Sequence, residues 1–335
     1  MKDQKFRALV VTEKSDGTFT REIKERNLSS LPDHEVLIKV HYSSLNYKDA
    51  LSATGNKGVT QNFPHTPGVD AAGIVQESKD TRFKKGEKVI VTSYDLGQNT
   101  SGGFGEYIRV PADWVVPLPE GLSLRESMIY GTAGFTAAYG AFKLKHNNTK
   151  PSDGRVLVTG ATGGVGSIAV ALLAKENYEV VAATGKIEQQ TFLEKMGSAE
   201  VIHRDMVYPE SDKPLVSGKW SGAIETVGGE MLDAVIRQTK HNGTVACCGN
   251  VLGHNLNTSI YPFILRGVSL MGIDSGICLM PMRKKIWKYL AEDGKLDILE
   301  EISSECSLDN LEDEIKKILE GKQVGRVILK HETGN

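Results

Sequence analysis

The spacing of apolar and polar positions changes period once along the chain. Up to about residue 115, short runs alternate or are apolar and β-branched: Phe6–Thr12, Glu35–Tyr42, Val69–Glu77, Glu87–Thr92 and Tyr107–Val110. Breakers such as Pro67-Gly68 and Lys85-Gly86 separate them, so the pattern predicts strands in a compact, barrel-like β domain. From Leu124, LRESMIYGTAGFTAAYGAFKL carries small and apolar residues at helical spacing. Strands and helices then alternate: strand Arg155–Thr159, helix Ser167–Glu176, strand Glu179–Ala183, helix Glu188–Met196 and strand Glu200–His203. Strand Gly222–Thr226, helix Glu230–Thr239 and strands Thr244–Cys248 and Ser269–Ile273 continue the series. This order predicts an α/β fold with a doubly wound parallel sheet, helices on both faces, and ligand at the carboxyl ends of the strands. The tail from Arg283 reads as helix, loop and helix. Gly325–Lys330 reads as a last strand that rejoins the β domain, since a lone strand needs a partner.

The most informative stretch is RVLVTGATGGVG, residues 155–166, where a strand feeds a helix through Gly160, Gly163 and Gly166. Residues without side chains let backbone approach a pyrophosphate, and the first N–H groups of the helix face the anion. Thr162, Gly163, Gly164 and Val165 are the expected contacts. A glycine triplet is weak alone, and its strand–turn–helix context makes it a dinucleotide site. NAD-binding units usually end the second strand in Asp or Glu, roughly 20 residues past the glycines. Here that strand ends Ala183-Thr184-Gly185-Lys186 with no acid. Thr184 supplies a hydroxyl, Gly185 room, and Lys186 with Arg204 positive charge for a 2′-phosphate. NADPH is therefore favoured over NADH. Gly249 and Asn250 follow a strand and are expected at the nicotinamide ribose.

Composition narrows the partners. The 335 residues carry a formal net charge of −2 with both signs interspersed, which leaves no basic stripe for nucleic acid and no polybasic arm for a membrane. Cys247, Cys248, Cys278 and Cys306 form no CxxC pair, which suits a reducing compartment and neither a disulfide framework nor a thiolate zinc lobe. With no apolar run long enough for a signal peptide or a span, a cytoplasmic setting is expected. Cys247 and Cys248 lie in an apolar strand, which favours inert thiols.

With these motifs in place, the chain resembles the medium-chain dehydrogenase/reductase superfamily along nearly its whole length. SSLNYKDALSATG (43–55), FPHTPGVDAAG (63–73), YGTAGFTAA (130–138) and YPFILRGVSLMGIDS (261–275) are similar to its zinc-free, quinone oxidoreductase-like branch, which includes acryloyl-CoA reductases. The resemblance implies a GroES-like β-barrel catalytic domain, residues 1–124 with 296–335. It also implies a Rossmann cofactor domain, residues 125–295. Where zinc relatives carry ligands, this chain has Asn46, Tyr47 and Asp70, so no metal is expected. The resemblance also implies that Asn46-Tyr47 faces the cofactor cleft and that Thr136 faces its nicotinamide end, while Asp274 and Ser275, just past the closing strand, and Arg326 are expected to reach the cleft by their place in the chain. Helix packing is an equal reading for Thr136, as solvent exposure is for Asp274, Ser275 and Arg326.

Without zinc, a nicotinamide can still reduce an acceptor that is already polarised, such as an enoyl-CoA thioester or a quinone. Tyr47 and Asn46 are the catalytic candidates: the phenol to donate a hydrogen bond or relay a proton, the amide to hold a carbonyl. Tyr47 reads equally as a tyrosine packed at a strand end. The expected activity is NADPH-dependent reduction of a conjugated carbonyl such as acryloyl-CoA. NADPH:quinone oxidoreduction and a non-catalytic NADPH-binding redox sensor are the alternatives. Lys48, Lys57 and Arg283 are candidate cations for coenzyme A phosphates. The strand Ser269–Ile273 is expected to pair with its copy in a homodimer.

Overall fold

The computed structural model describes residues 4–332, so the expected domain limits at 1 and 335 lie outside the described residues. Its contacts separate two units: 1–132 with 276–292 and 299–335, and 133–275 with 293–298.

The first unit is built on strands. β1 (Lys5–Glu13) pairs antiparallel with β2 (Phe19–Asn27) over nine positions. β3 (Val36–Leu45), β4 (Asp70–Ser78), β5 (Lys88–Thr92), β6 (Tyr107–Val110) and β7 (Val115–Pro117) form an antiparallel sheet around β3. Between β3 and β4 lies the short helix α1 (Tyr47–Ala53). Val36, Ile38, Val40, Val75, Val89, Val91 and Ile108 turn to one side of this sheet and form its core. Burying such side chains contributes about 1.5–3 kcal/mol each. The last strand does rejoin this unit. As Arg326–Lys330 it runs antiparallel to β3 and parallel to Ser303–Ser307.

The chain passes to the second unit along α2 (Leu124–His146), which breaks at Gly131, where φ is 50° and ψ −156°. A Cβ at Gly131 would lie 2.5 Å from Ser44 Oγ, 2.6 Å from Asp70 Oδ2 and 3.0 Å from Arg326 Nη2, so only glycine fits.

In the second unit, β8 (Val156–Val158), β9 (Val180–Thr184), β10 (Glu200–His203), β11 (Trp220–Glu225), β12 (Thr239–Cys247) and β13 (Ser269–Gly272) form one parallel sheet. Their spatial order is β10-β9-β8-β11-β12-β13. This is the doubly wound order whose direction reverses between β8 and β11, where such sheets bind ligand. Four helices lie between these strands: α3 (Gly164–Lys175), α4 (Gln190–Lys195), α5 (Gly229–Arg237) and α6 (Tyr261–Arg266). α3 is apolar nearly all round, and eight of its residues are buried.

Several expected boundaries shift. Helix α3 starts at Gly164 rather than Ser167, directly on the glycine turn. Strand β12 begins at Thr239, inside the expected helix, which ends at Arg237. Three strands had no clear signal: β2, whose residues are mostly polar, the short β7, and Ser303–Ser307, numbered β14 below. The helices α7 (Met280–Ala291), α8 (Leu299–Ile302) and α9 (Leu311–Leu319) and the strands β14 and β15 (Arg326–Lys330) complete the chain. Residues 276–292, expected with the nucleotide-binding domain, group with the first unit. The reason is Arg283. It is buried, donates to Thr92 O and Oγ1 at 3.0 and 2.9 Å, and lies 4.3 Å over the Tyr94 ring. No helix among the described residues is long and apolar enough to cross a membrane.

Candidate functional site

In the second unit, the predicted coenzyme residues gather at the carboxyl ends of the strands. Gly160 takes φ 56°, and a Cβ there would lie 2.5 Å from Thr226 Oγ1. A Cβ on Gly166 would collide with Gly160 O, so this glycine lets the first turn of α3 rest on the loop before it. The first N–H groups of α3 lack intrahelical partners, as at any helix start, and suit an anion.

At the tip of β9, Thr184 Oγ1 lies 3.1 Å from Thr162 Oγ1 and accepts from Lys186 N–H at 3.0 Å. Arg204, just past β10, lies across the same corner. A Cβ on Gly185 would meet its side chain at 3.2–3.5 Å. Thr162, Thr184, Gly185, Lys186 and Arg204 therefore form one cluster. Burial lowers the pKa of the Lys186 ammonium, which an incoming phosphate would reverse.

Cys247, Cys248, Gly249, Gly272, Ile273 and Asp274 line a cavity of about 420 Å³ beside this sheet edge. Gly249 packs against the backbone of Thr226 with no room for a Cβ, and Asn250 beyond it is exposed. Ser275 and Thr136 hydrogen-bond each other through their hydroxyls at 2.8 Å. Burial and Glu225 push the Cys248 thiol up to about 12, so it is protonated at neutral pH. A larger groove of about 730 Å³ lies beside α5. Its lining carries Asp212, Glu230 and Asp233 against Arg237, the wrong balance for a polyphosphate.

In the first unit, Asn46 and Tyr47 open α1. Asn46 is the N-cap, and the Asp49 carboxylate accepts its backbone N–H at 2.8 Å, half of a capping box. The Asn46 side chain is fully engaged. Its Nδ2 donates to Asp70 Oδ2 at 2.8 Å and its Oδ1 accepts from Arg326 Nη1 at 3.1 Å. Tyr47 is 39% exposed, and none of the described residues hydrogen-bonds its hydroxyl. It is not the packed, satisfied tyrosine of the competing reading.

Arg326 is 2% exposed and does not reach a surface site. Its guanidinium donates to Ile129 O, Leu45 O and Asn46 Oδ1, and Nη2 lies 3.9 Å from Asp70 Oδ2. Asp70 also accepts from Ser44 Oγ at 2.6 Å and from Thr132 Oγ1 at 2.6 Å. Arg283 is likewise buried and Lys57 pairs with Glu13 at 2.6 Å, so of the three cations suggested for coenzyme A only Lys48 stands exposed without such a partner.

Relatives put a family to this arrangement. Residues 32–120 match the alcohol dehydrogenase GroES-like domain and residues 164–291 match the zinc-binding dehydrogenase domain. A Bacillus subtilis protein, YhfP, provisionally named a quinone oxidoreductase, is 45% identical over 97% of this chain and 98% of its own. The acrylyl-CoA reductase AcuI of Ruegeria pomeroyi is 41% identical over 97% of this chain and 98% of its own. The chain belongs to the quinone oxidoreductase-like branch of the medium-chain dehydrogenase/reductase superfamily. Two crystal structures of relatives superpose closely. The Salmonella enterica YhdH oxidoreductase in complex with NADP has a TM-score of 0.94 at 41% identity, covering 97% of this chain and 99% of that one. YhfP with NAD bound has a TM-score of 0.94 at 45% identity, covering 98% and 100%.

Among the described residues no three or more His, Cys, Asp or Glu side chains converge as a metal site would need. At the positions where ligands were sought, Asn46 and Asp70 already spend their polar atoms on each other, on Arg326 and on Thr132.

The pair Asp49 and Asp70 has a consequence for pH. Burial, then the charge of Asp70, pushes the Asp49 carboxyl up from 3.8 to about 7. A carboxyl raised on folding holds its proton more tightly in the folded state. Its stabilisation is full below the unfolded value and is lost as pH rises from about 4 to about 7. Urea unfolding of the wild type should therefore show stability falling from pH 5 to pH 8, and Asp49→Asn should flatten that fall. Parallel pH profiles for the two proteins would contradict the assignment.

Proposed function

We propose that this protein is an NADPH-dependent reductase of α,β-unsaturated carbonyl compounds, with acryloyl-CoA or a related short enoyl thioester as acceptor. The observation that carries the reading is the corner formed by Thr184, Gly185, Lys186 and Arg204. Two cations and a hydroxyl meet at the end of β9, where NAD-specific units place a carboxylate. In this role Lys186 and Arg204 hold the 2′-phosphate, and the α3 amides with Thr162 and Gly163 hold the pyrophosphate. Gly249, Asn250 and Asp274 border the nicotinamide ribose. Bound NADPH supplies a hydride to the β-carbon, and a proton added at the α-carbon completes the saturated thioester.

Tyr47 donates its hydroxyl to the thioester oxygen as enolate charge develops, a role worth about 10²-fold in rate. Asn46, whose amide is spent on Asp70 and Arg326, serves as the residue that fixes where Tyr47 starts its helix. No metal takes part in this scheme. The acceptor is chosen on the likeness to the Ruegeria acrylyl-CoA reductase. A quinone is the second reading, favoured by the name of the Bacillus relative, and the NAD bound to that relative makes coenzyme preference the first thing to measure. We also propose a homodimer through the outer edge of β13. Ile264 and Leu265, on the helix just before that edge strand, are 64% and 57% exposed.

Steady-state oxidation of NADPH and NADH should be followed at 340 nm with acryloyl-CoA, crotonyl-CoA and benzoquinone. Wild type should prefer NADPH and acryloyl-CoA. Lys186→Ala should raise KM for NADPH about tenfold and leave that for NADH nearly unchanged. Tyr47→Phe should lower kcat with the thioester about 10²-fold. Equal use of both coenzymes would overturn the phosphate corner. Faster turnover of benzoquinone would favour the quinone reading, and tight NADPH binding without oxidation by any acceptor would favour a sensor. Sedimentation velocity should show twice the chain mass of 36.5 kDa, and a monomer at micromolar concentration would refute the dimer.

A further inference from the structure

The second unit contains a buried carboxylate that the scheme above does not use. Glu225 ends β11 and is fully buried. Its Oε1 accepts from Thr159 Oγ1 at 3.0 Å, Val227 N at 2.9 Å and Gly228 N at 3.0 Å, and its Oε2 also receives Gly228 N at 3.0 Å. Thr159 is the last residue before the glycine turn, and its hydroxyl oxygen accepts Thr226 N–H at 2.9 Å while Thr226 Oγ1 donates to Thr159 O at 2.8 Å. On the other flank, Cys248 N–H donates to the Glu225 carbonyl at 3.0 Å. The ends of β8, β11 and β12 are thus tied around one residue, the first two through its carboxylate and the third through its carbonyl.

These ties lead to the coenzyme loops by backbone contact. A Cβ on Gly160 would strike Thr226 Oγ1 at 2.5 Å, and one on Gly249 would collide with Thr226 O. A Cβ on Gly228, held at φ 79°, would lie 2.7 Å from Gly249 O. The turn 226–228 therefore sits against the loop after β8 on one side and the loop after β12 on the other. Shifting it moves both.

We propose that Glu225 is a positioning residue for the coenzyme: it touches none of it, and by fixing the turn 226–228 it holds the pyrophosphate loop at Gly160–Gly163 and the nicotinamide-side loop at Gly249–Asn250 in register with each other. The inference rests on the coenzyme reading of these loops. The chemistry demands an acceptor with two oxygens, because donors arrive from three groups and the Gly228 amide bridges both. A carboxylate supplies that geometry. Burial raises the pKa of the group, and the hydrogen bonds from Gly228, Val227 and Thr159 lower it again. An amide at this place turns an N–H toward another N–H, leaving a buried donor unpaired. The corner at Thr184, Lys186 and Arg204 lies on β9 and past β10 and meets this set of ties through the loop after β8, where Thr162 Oγ1 lies 3.1 Å from Thr184 Oγ1. Glu225 therefore acts directly on the pyrophosphate and nicotinamide side of the coenzyme and on the 2′-phosphate end only through that loop.

Binding of two probes separates these effects. Dissociation constants for NADPH and for 2′,5′-ADP, which carries the adenosine end without the nicotinamide, should be measured by titration on wild type, Glu225→Gln and Thr159→Val. Thr159→Val is close in shape and removes one donor to Glu225 and the acceptor of Thr226 N–H, so it keeps the test available if the glutamine variant folds poorly. Glu225→Gln should weaken NADPH about tenfold and Thr159→Val less, with 2′,5′-ADP, whose 5′-phosphate meets one of the two loops, weakened by about threefold or less in both. In steady state, KM for NADPH should rise while KM for the acceptor holds. Loss of affinity for both probes alike, or for neither, would overturn the positioning role. Wild type that binds 2′,5′-ADP and NADPH equally would also overturn it. Wild type that binds neither would sink the coenzyme reading itself.

Discussion

A guanidinium almost wholly removed from solvent, paired with a fully buried carboxylate, is the constraint on which the first unit depends. Taking two charges out of water costs several kcal/mol per ion, and the cost is offset only where the remaining donors and acceptors are met. Here they are. Asp70 takes Ser44, Asn46 and Thr132, and Arg326 takes Ile129, Leu45 and Asn46. The groups belong to β3, β4, α2 and β15 and to the residue that begins α1, so the last strand and the first helix are locked to the same point. Gly131 lets the backbone approach it. Removing one partner of such a pair costs about 3–5 kcal/mol, because the other is left charged and buried. Asn46 sits between the two charges, and Tyr47 follows it with its hydroxyl unspent.

The second unit reaches its chemistry by another route. Its carboxyl strand ends carry few charges that face inward, and the loops are shaped by backbone packing on glycine. Glu225 is the exception, a buried acid whose oxygens gather three donors from two strand ends. The corner proposed for the 2′-phosphate carries two cations, with Arg204 exposed and Lys186 half-buried. The division suits a coenzyme whose charged end is recognised by side chains and whose reactive end is placed by backbone.

Much of this was legible in the sequence because it is local. The glycine turn, the strand–helix alternation and the missing acid after β9 each lie within a few residues, and the parallel sheet followed from them. The GRVIL segment was legible as a strand by elimination, since it needed a sheet to join. What stayed hidden depends on long-range contacts. Arg326 near the end of the chain reads equally as a cleft residue and as a solvated cation, and it is neither, because nothing beside it in sequence reveals Asp70 as its partner. Arg283, in a run of basic residues, gave no sign that it is the member turned inward beneath Tyr94. Strand β2 escaped because its residues are mostly polar and pair only with β1. Glu225 did leave a trace, a lone acid closing the apolar run of SGAIETVGG. A charge at the end of a buried strand and before two glycines is where a loop-fixing acceptor would be sought.

The central claim is that a hydride passes from NADPH to the β-carbon of an enoyl thioester. The most direct measurement is isotopic: NADPH carrying deuterium at nicotinamide C4, one stereoisomer at a time, incubated with acryloyl-CoA and the protein, with the product thioester analysed by mass spectrometry. The account predicts one deuterium in propionyl-CoA, at the β-carbon, from one of the two stereoisomers only. Propionyl-CoA without label from either stereoisomer, or no propionyl-CoA at all, would contradict it.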